Sequence, residues 1–415
     1  MARCRVAVAV AAGLLVILSN SVSSWAQDAS PSEPPPLKIF ILAGQSNMQG
    51  HARVTTFDAM RLNPQAAPIL AKIRQDDGSP TVCSRVWISS IGSSAEEKTG
   101  KLTAGFGAEA RGPKIGPEFT FGIYAQELFE GPILIIKTAW GGKSLHTDFR
   151  PPGAPPYEFN EQQLENLRKQ DKDIAAMREE KKAATGVYYR QMIEHIDEVL
   201  SDLKRLYPHY DPDQGHELAG FVWFQGWNDM VDRGTYPNRD QPGGYKEYSE
   251  LLAQFIRDVR ADLDAPDLPF VIGVMGVGGP TDQYAGDQQR YKAVHQNFRD
   301  AMAAPAKLAE FKENVAVVLT EEFWDMQVVS LRRREAKIKP QVNEIRAAIK
   351  EGTTRKAEGE EAIEELYRET FTKQELEILR ESTSNFDFHY MGSAGIISQI
   401  GKAFAETVAA LNNVQ

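Results

Sequence analysis

Apolar and polar positions along this chain follow two different rhythms. Six short runs are almost continuously apolar, at residues 38–42 (KIFIL), 86–89 (VWIS), 133–138 (ILIIKT), 220–224 (GFVWF), 270–274 (FVIGV) and 315–320 (VAVVLT). Runs of this length without alternation predict strands buried on both faces. Between them, residues 119–130, 188–206 and 245–263 carry apolar side chains at helical spacing, and 392–412 sets Ile396, Ile400, Phe404 and Val408 four residues apart. That single stripe is what one face of a helix can bury. Strands alternating with amphipathic helices predict an α/β fold of three layers, a mainly parallel sheet between helices. Two segments, 160–185 and 331–384, are rich in Lys, Arg and Glu and poor in large apolar residues. They are expected to be solvated helices inserted into the domain, the second placed to rim a pocket.

The first 26 residues follow another pattern. Arg3 and Arg5 precede an apolar run at 6–18, and Ser24-Trp25-Ala26 puts small residues at the −3 and −1 positions of a cleavage point. This predicts a signal peptide at 1–26, a Pro-rich linker at 27–36, one domain at 37–415, and a secreted or periplasmic protein. The apolar run is shorter than the roughly 20 residues a membrane span needs, so no stable membrane insertion is expected after cleavage. Cys4 lies in the signal, which leaves Cys83 without an intramolecular partner. With 415 residues the chain can build a large core, and its net charge of −10 argues against nucleic acid as a partner. No Cys/His spacing suggests a zinc site, and no metal or organic cofactor is implied.

Candidate chemistry lies where strands end, because open parallel sheets bind ligands beyond the carboxyl ends of their strands. The first run is followed by Gly44-Gln45-Ser46-Asn47, the third by Ala139-Trp140-Gly141-Gly142-Lys143-Ser144, and the fourth by Gln225-Gly226-Trp227-Asn228-Asp229. A serine in a strand-to-helix turn can present its hydroxyl to a cleft while nearby backbone N–H groups point at the same space, as a nucleophile that generates an oxyanion requires. The plainer alternative is that Ser46 caps the next helix. Among the histidines, His195, His209 and His216 read as surface residues, and His51 and His146 stand close behind two of the turns. His389, in Asn385-Phe386-Asp387-Phe388-His389-Tyr390-Met391-Gly392, combines a nearby carboxylate with a position just before the last helix.

These blocks resemble the sialate O-acetylesterase and acetylxylan-esterase branch of the SGNH (GDSL-like) hydrolases. The resemblance rests on Gly44-Gln45-Ser46-Asn47-Met48, Gly116-Pro117-Glu118-Phe119, Lys137-Thr138-Ala139-Trp140-Gly141-Gly142, Trp223-Phe224-Gln225-Gly226 and the C-terminal His, in that order. It implies a flavodoxin-like α/β/α sheet, Ser46 as nucleophile and His389 as base. Its oxyanion donors would be the backbone N–H groups of Ser46 and Gly142 and the amide of Gln225. Two departures stand out. Relatives usually carry Gln-Gly-Glu where this chain has Gln225-Gly226-Trp227, and Gly226-Trp227-Asn228-Asp229 also fits the Gly-x-Asn-Asp block of the wider superfamily, so Asn228 rivals Gln225. The acid three residues before the histidine is Phe386, so Asp387, Glu321 or Glu322 is expected to serve, or none. Trp140, Trp227 and Tyr390 are candidates for a sugar platform.

The expectation is an exported serine esterase that removes O-acetyl groups from a carbohydrate such as xylan or sialic acid. The alternative is a carbohydrate-binding protein that keeps the fold without catalysis.

Overall fold

The computed structural model describes residues 35–414. The expected signal peptide and all but the last two residues of the expected linker lie outside the described residues. The six apolar runs all form strands, and a seventh joins them. In chain order these are β1 (Leu37–Gly44), β2 (Val86–Ile91), β3 (Lys98–Lys101), β4 (Ile133–Ala139), β5 (His216–Phe224), β6 (Phe270–Val274) and β7 (Val315–Leu319). They make one sheet in the order β3-β2-β4-β1-β5-β6-β7, parallel throughout except for the β2/β3 pair. The extra strand β3, Lys-Thr-Gly-Lys, is exposed at every position and carries no apolar signal. It exists because an antiparallel hairpin partner is available at the sheet edge.

The principal helices are α1 (Pro117–Leu128), α2 (Val187–Ser201), α3 (Lys246–Asp262), α4 (Lys292–Ala303), α5 (Met326–Glu351), α6 (Lys356–Thr370), α7 (Lys373–Glu381) and α8 (Ala394–Leu411). The stripe Ile396, Ile400, Phe404 and Val408 on α8 is fully buried, and Phe404 meets Phe224 of β5 at 5.4 Å. On the opposite face, Phe255 of α3 packs on Trp223 of β5 at 4.3 Å. The three layers are therefore as the pattern predicts. Both charged segments are helical, the first as Glu161–Lys169 and Ile174–Ala184, the second as α5, α6 and α7. Helix α4 was not among the segments singled out, although Val294, Phe298, Ala301 and Met302 stand at helical spacing on one buried face.

Two features of the sheet build a site. The chain turns from one half of the sheet to the other at β1, which lies between β4 and β5, and such a reversal opens a crevice at the strand ends. In addition, Gly44 is in register with Ala139 of β4 and Phe224 of β5, so all three strands stop at one level. The turns that follow them start side by side.

A buried ion pair lies beneath those turns. Lys137 of β4 and Glu118 of α1 are both wholly buried, with Nζ 2.8 Å from Oε2. The ammonium also donates to the carbonyls of Gln49 (2.8 Å) and Phe106 (2.9 Å), and Glu118 Oε1 accepts from the N–H of Gly116 (2.9 Å). Burial lowers the Lys137 pKa, and Glu118 opposes that shift. Glu118→Ala should therefore cost about 3–5 kcal/mol by leaving an uncompensated buried charge. Urea unfolding followed by circular dichroism checks this, and a loss below about 1 kcal/mol would contradict it.

Candidate active site

At the end of β1, Gly44 passes so close to Phe224 that a Cβ there would lie 2.2 Å from the Phe224 carbonyl oxygen. Glycine is what lets the chain leave the sheet at this level. Gln45 follows in extended conformation, and Ser46 opens one helical turn, Ser46–Gln49. The Ser46 hydroxyl does not cap that turn. Its one polar neighbour among the described residues is Gln45 Nε2 at 3.5 Å, and the residue is 8% exposed.

The side chain of Gln45 joins two of the three turns. Its Oε1 accepts from Gly226 N (3.0 Å) and Gln225 Nε2 (3.2 Å), and its Nε2 donates to Asn228 Oδ1 (3.0 Å). Gln225, expected to donate to an oxyanion, is instead committed inside the protein. Its Nε2 also donates to Asp229 Oδ2 (2.6 Å) and the Lys143 carbonyl (3.0 Å), and its Oε1 accepts from the Tyr248 hydroxyl (3.2 Å). Asn228 is only half-buried, and its amide nitrogen has no hydrogen bond among the described residues. The rival is thus the amide that remains free to donate.

The turn after β4 is held from below by Asp229. This fully buried carboxylate accepts from the N–H groups of Leu145 (2.8 Å) and His146 (3.0 Å), while burial pushes its pKa up. Above it, a Cβ on Gly141 would lie 3.9 Å from the Cβ of Ser46, so the Gly141–Gly142 turn faces the serine. Neither the Ser46 N–H nor the Gly142 N–H is hydrogen-bonded among the described residues.

His389 occupies a short 3-10 turn, Asp387–Gly392, in which Tyr390, Met391 and Gly392 have φ of 50°, 59° and 57°. Two consecutive non-glycine residues in the left-handed region cost energy that the surroundings must supply. They do so through Tyr390, which is wholly buried. Its hydroxyl lies 2.8 Å from Gly276 N, which donates to it, and 2.6 Å from Thr320 Oγ1. Tyr390 is therefore a fastening in the core and not part of a sugar platform. The N–H groups of Ser384 and Asn385 complete the turn by donating to the Met391 carbonyl, each at 2.9 Å.

None of the three expected acids is hydrogen-bonded to His389 in this structure. Asp387 is turned outward, its carboxylate 2.5 Å from the guanidinium of Arg332 on α5. Glu321 pairs with Arg299, and Glu322 is exposed. The group that does reach the ring was overlooked in the sequence: Asn385, whose Oδ1 lies 3.1 Å from His389 Nδ1. That contact leaves Nε2 as the nitrogen able to accept a proton. Burial pushes the His389 pKa down to about 4. No hydrogen bond joins His389 to Ser46 among the described residues, and catalytic contacts of this kind often tighten only around bound substrate.

The other expected residues divide. Trp227 packs at a tilt against Phe388 at 5.7 Å, and Phe388 stacks on Phe386 at 5.3 Å, which makes an aromatic ledge ending in a Phe386 that is 69% exposed. Trp140 packs against Phe149 and Tyr188 and lines a separate cavity of about 370 Å³ with His195. His195, read as a surface residue, is in fact buried on α2, with Nε2 2.8 Å from the Ser89 hydroxyl. His146 is also buried, bonded to Asp232 (3.1 Å) and Thr147 (2.7 Å). His51 stacks flat on His389.

Residues 36–322 match the family model described as carbohydrate esterase, sialic acid-specific acetylesterase. The chain belongs to that family. The matched span holds all three strand-end turns, and His389 lies beyond it. No curated protein matches the chain. Two solved structures are similar: an Arabidopsis thaliana protein (16% identity, 69% of this chain and 86% of the other, TM-score 0.37) and a carbohydrate acetylesterase from Xanthomonas citri (15% identity, 68% and 49%, TM-score 0.34). As a carbohydrate esterase of the SGNH-like α/β/α type, the protein carries its candidate site where the sheet topology requires one.

The turn that bears His389 can be tested directly. A Cβ on Gly392 would lie 2.6 Å from Asn385 Cβ and 2.7 Å from Asn385 N, at a backbone angle that side chains disfavour by about 1–2 kcal/mol. Gly392→Ala should lower both the thermal midpoint and esterase activity. Unchanged values in both assays would show that the turn tolerates displacement of Asn385.

Proposed function

We propose that this esterase removes acetyl groups from carbohydrate hydroxyls through an acyl-enzyme on Ser46, with His389 as general base and acid. The observation that carries the reading is the set of unengaged donors around an uncapped serine: Ser46 N–H, Gly142 N–H and the Asn228 amide. Three such dipoles suit a tetrahedral oxyanion, which binds strongly to preoriented donors in a dry site. In the first half, Ser46 Oγ attacks the acetyl carbon as its proton passes to His389 Nε2. The sugar oxygen then leaves with that proton. In the second half, a water gives a proton to the same nitrogen and attacks the acetyl-serine. Acetate departs and Ser46 recovers its hydrogen.

The aromatic ledge of Trp227, Phe388 and Phe386 offers apolar faces for a sugar ring at the mouth of the site. Asn385 orients the imidazole without supplying charge. That neutral partner, with Phe386 and Trp227 where relatives carry carboxylates, favours a binding protein that has lost catalysis, and the two readings part on a single measurement. Ser46→Ala should abolish acetate release from acetylated xylan, acetylated sialic acid and 4-nitrophenyl acetate while leaving the thermal midpoint in place. Asn228→Ala should lower kcat by about 10²–10³, as loss of one oxyanion donor does. A parent protein inactive on the whole panel would favour the binding reading.

The same proposal includes export. The residues that would direct it are Arg3, Arg5, the apolar stretch 6–18 and Ser24-Trp25-Ala26. Among the described residues no helix is long and apolar enough to cross a membrane. Mass spectrometry of the protein from the medium or periplasm should find an N-terminus near Gln27. A chain that retains residues 1–26 there would overturn export with cleavage.

A further inference from the structure

His51 stands where the nucleophile turn ends, two residues after Gln49 and just before the short strand Ala52–Arg53. Its backbone surroundings are firmly tied. Gly50 N donates to the Ser46 carbonyl (3.0 Å), Ala108 N to the Gly50 carbonyl (2.9 Å), and Arg53 N to the Ser384 hydroxyl (3.2 Å). The last bond links this segment to the one that carries Asn385. Between the two segments the imidazoles of His51 and His389 lie face to face, with centroids 3.8 Å apart and planes inclined by 1°. Phe388 packs against His389 at 4.4 Å and 67°. His51 Nε2 is buried without a hydrogen-bond partner. Among the described residues its one aromatic contact is the face of His389.

We propose that His51 is a positioning residue for the base: its ring fixes the plane of the His389 imidazole and covers one face of it. This rests on the reading of Ser46 and His389 as nucleophile and base. In such a site the proton taken from serine turns His389 into a cation, and a carboxylate normally steadies that cation. Here Asn385 is neutral and Asp387 is held by Arg332. An aromatic face against the ring supplies part of what is missing, because a cation over such a face is attracted to it.

The charged groups around the pair are consistent with His51 staying neutral. Lys114 is directed to the carbonyls of Ala108, Glu109 and Ala110, and Lys137 is paired with Glu118. Arg53, Arg111 and Glu109 line the adjoining cavity of about 570 Å³, and no carboxylate is bonded to either ring among the described residues. Burial, then the neighbouring His389, then the two lysines push the His51 pKa to about 3, below that of His389 at about 4. A neutral base is needed, so kcat/KM should be level above pH 5 and fall as pH drops through about 4.

The experiment measures kcat, KM and the acid limb of kcat/KM on 4-nitrophenyl acetate for the parent, His51→Ala, His51→Leu and His51→Phe. Removing the ring in His51→Ala should lower kcat between about tenfold and about a hundredfold with KM little changed. It should also admit water to His389, moving the acid limb up toward the ordinary histidine value of about 6.5. His51→Leu fills the space without an aromatic face and should keep the low acid limb while losing kcat. His51→Phe should restore kcat to within about threefold of the parent, because stacking survives. Parent-like kcat and acid limb in His51→Ala would overturn the proposal. So would a His51→Leu equal to the parent in kcat, or a His51→Phe as impaired as the alanine variant. Should His51→Ala fail to fold, the leucine and phenylalanine variants decide alone. Ser46→Ala and His389→Ala keep the two readings apart: activity in either would sink the nucleophile and base assignment, whatever His51 does.

Discussion

A charged lysine with no access to water is what the site is built around. Lys137 projects from β4, the strand beside the central β1, and must satisfy three N–H donors and a full charge without solvent, which only a buried carboxylate and well-placed carbonyls can do. The partners it takes are informative. Glu118 lies in the first turn of α1, Gln49 ends the Ser46–Gln49 turn, and Phe106 lies in the loop between β3 and α1. One ammonium thus ties a strand to the turn that carries Ser46 and to two further segments. A hydrophobic residue at 137 could pack the sheet, but it could not direct the carbonyl end of the Ser46–Gln49 turn.

Above that floor the site is assembled mostly from uncharged groups. Gln45, Gln225 and Asn228 connect the turns through amides, and the one carboxylate among them, Asp229, is consumed by backbone N–H groups and Gln225. Such a network has little long-range field, and under the proposed mechanism its contribution would come from donors already aimed where charge develops. The surroundings of His389 follow the same logic. His389 is positioned by an amide oxygen, an aromatic edge and another imidazole, and burial keeps it neutral.

The charged helices α5 to α7 also have a part in this arrangement. Arg332 on α5 holds both Asp387 and the Thr383 hydroxyl, and Glu377 on α7 pairs with Arg61 of the turn Asp58–Leu62. The Arg332 contacts brace the segment 383–389 from outside, while Tyr390 anchors it from within. Ion pairs at such exposure contribute little to global stability. Their effect is local, on where the histidine turn sits.

Much of this was legible in the sequence, for reasons that differ by element. The buried strands declare themselves because a parallel sheet covered on both faces tolerates hardly any polar residue, and the stripe on α8 because one face alone is buried. Glycine-bounded turns at strand ends mark the site for an equally local reason: Gly44 is demanded by the backbone of Phe224. Contacts made across the fold were not legible. That Gln225 is occupied and Asn228 free depends on Gln45, 180 residues or more away in the chain. That Asp387 faces Arg332 while Asn385 reaches the imidazole follows from a left-handed turn held by Gly276 and Thr320. The stacking of His51 on His389 joins residues from opposite ends of the domain. Local patterns record which residues must be buried and where the chain must bend. Which polar atom faces which partner is decided only when distant segments compete for the same few hydrogen bonds in a space without water.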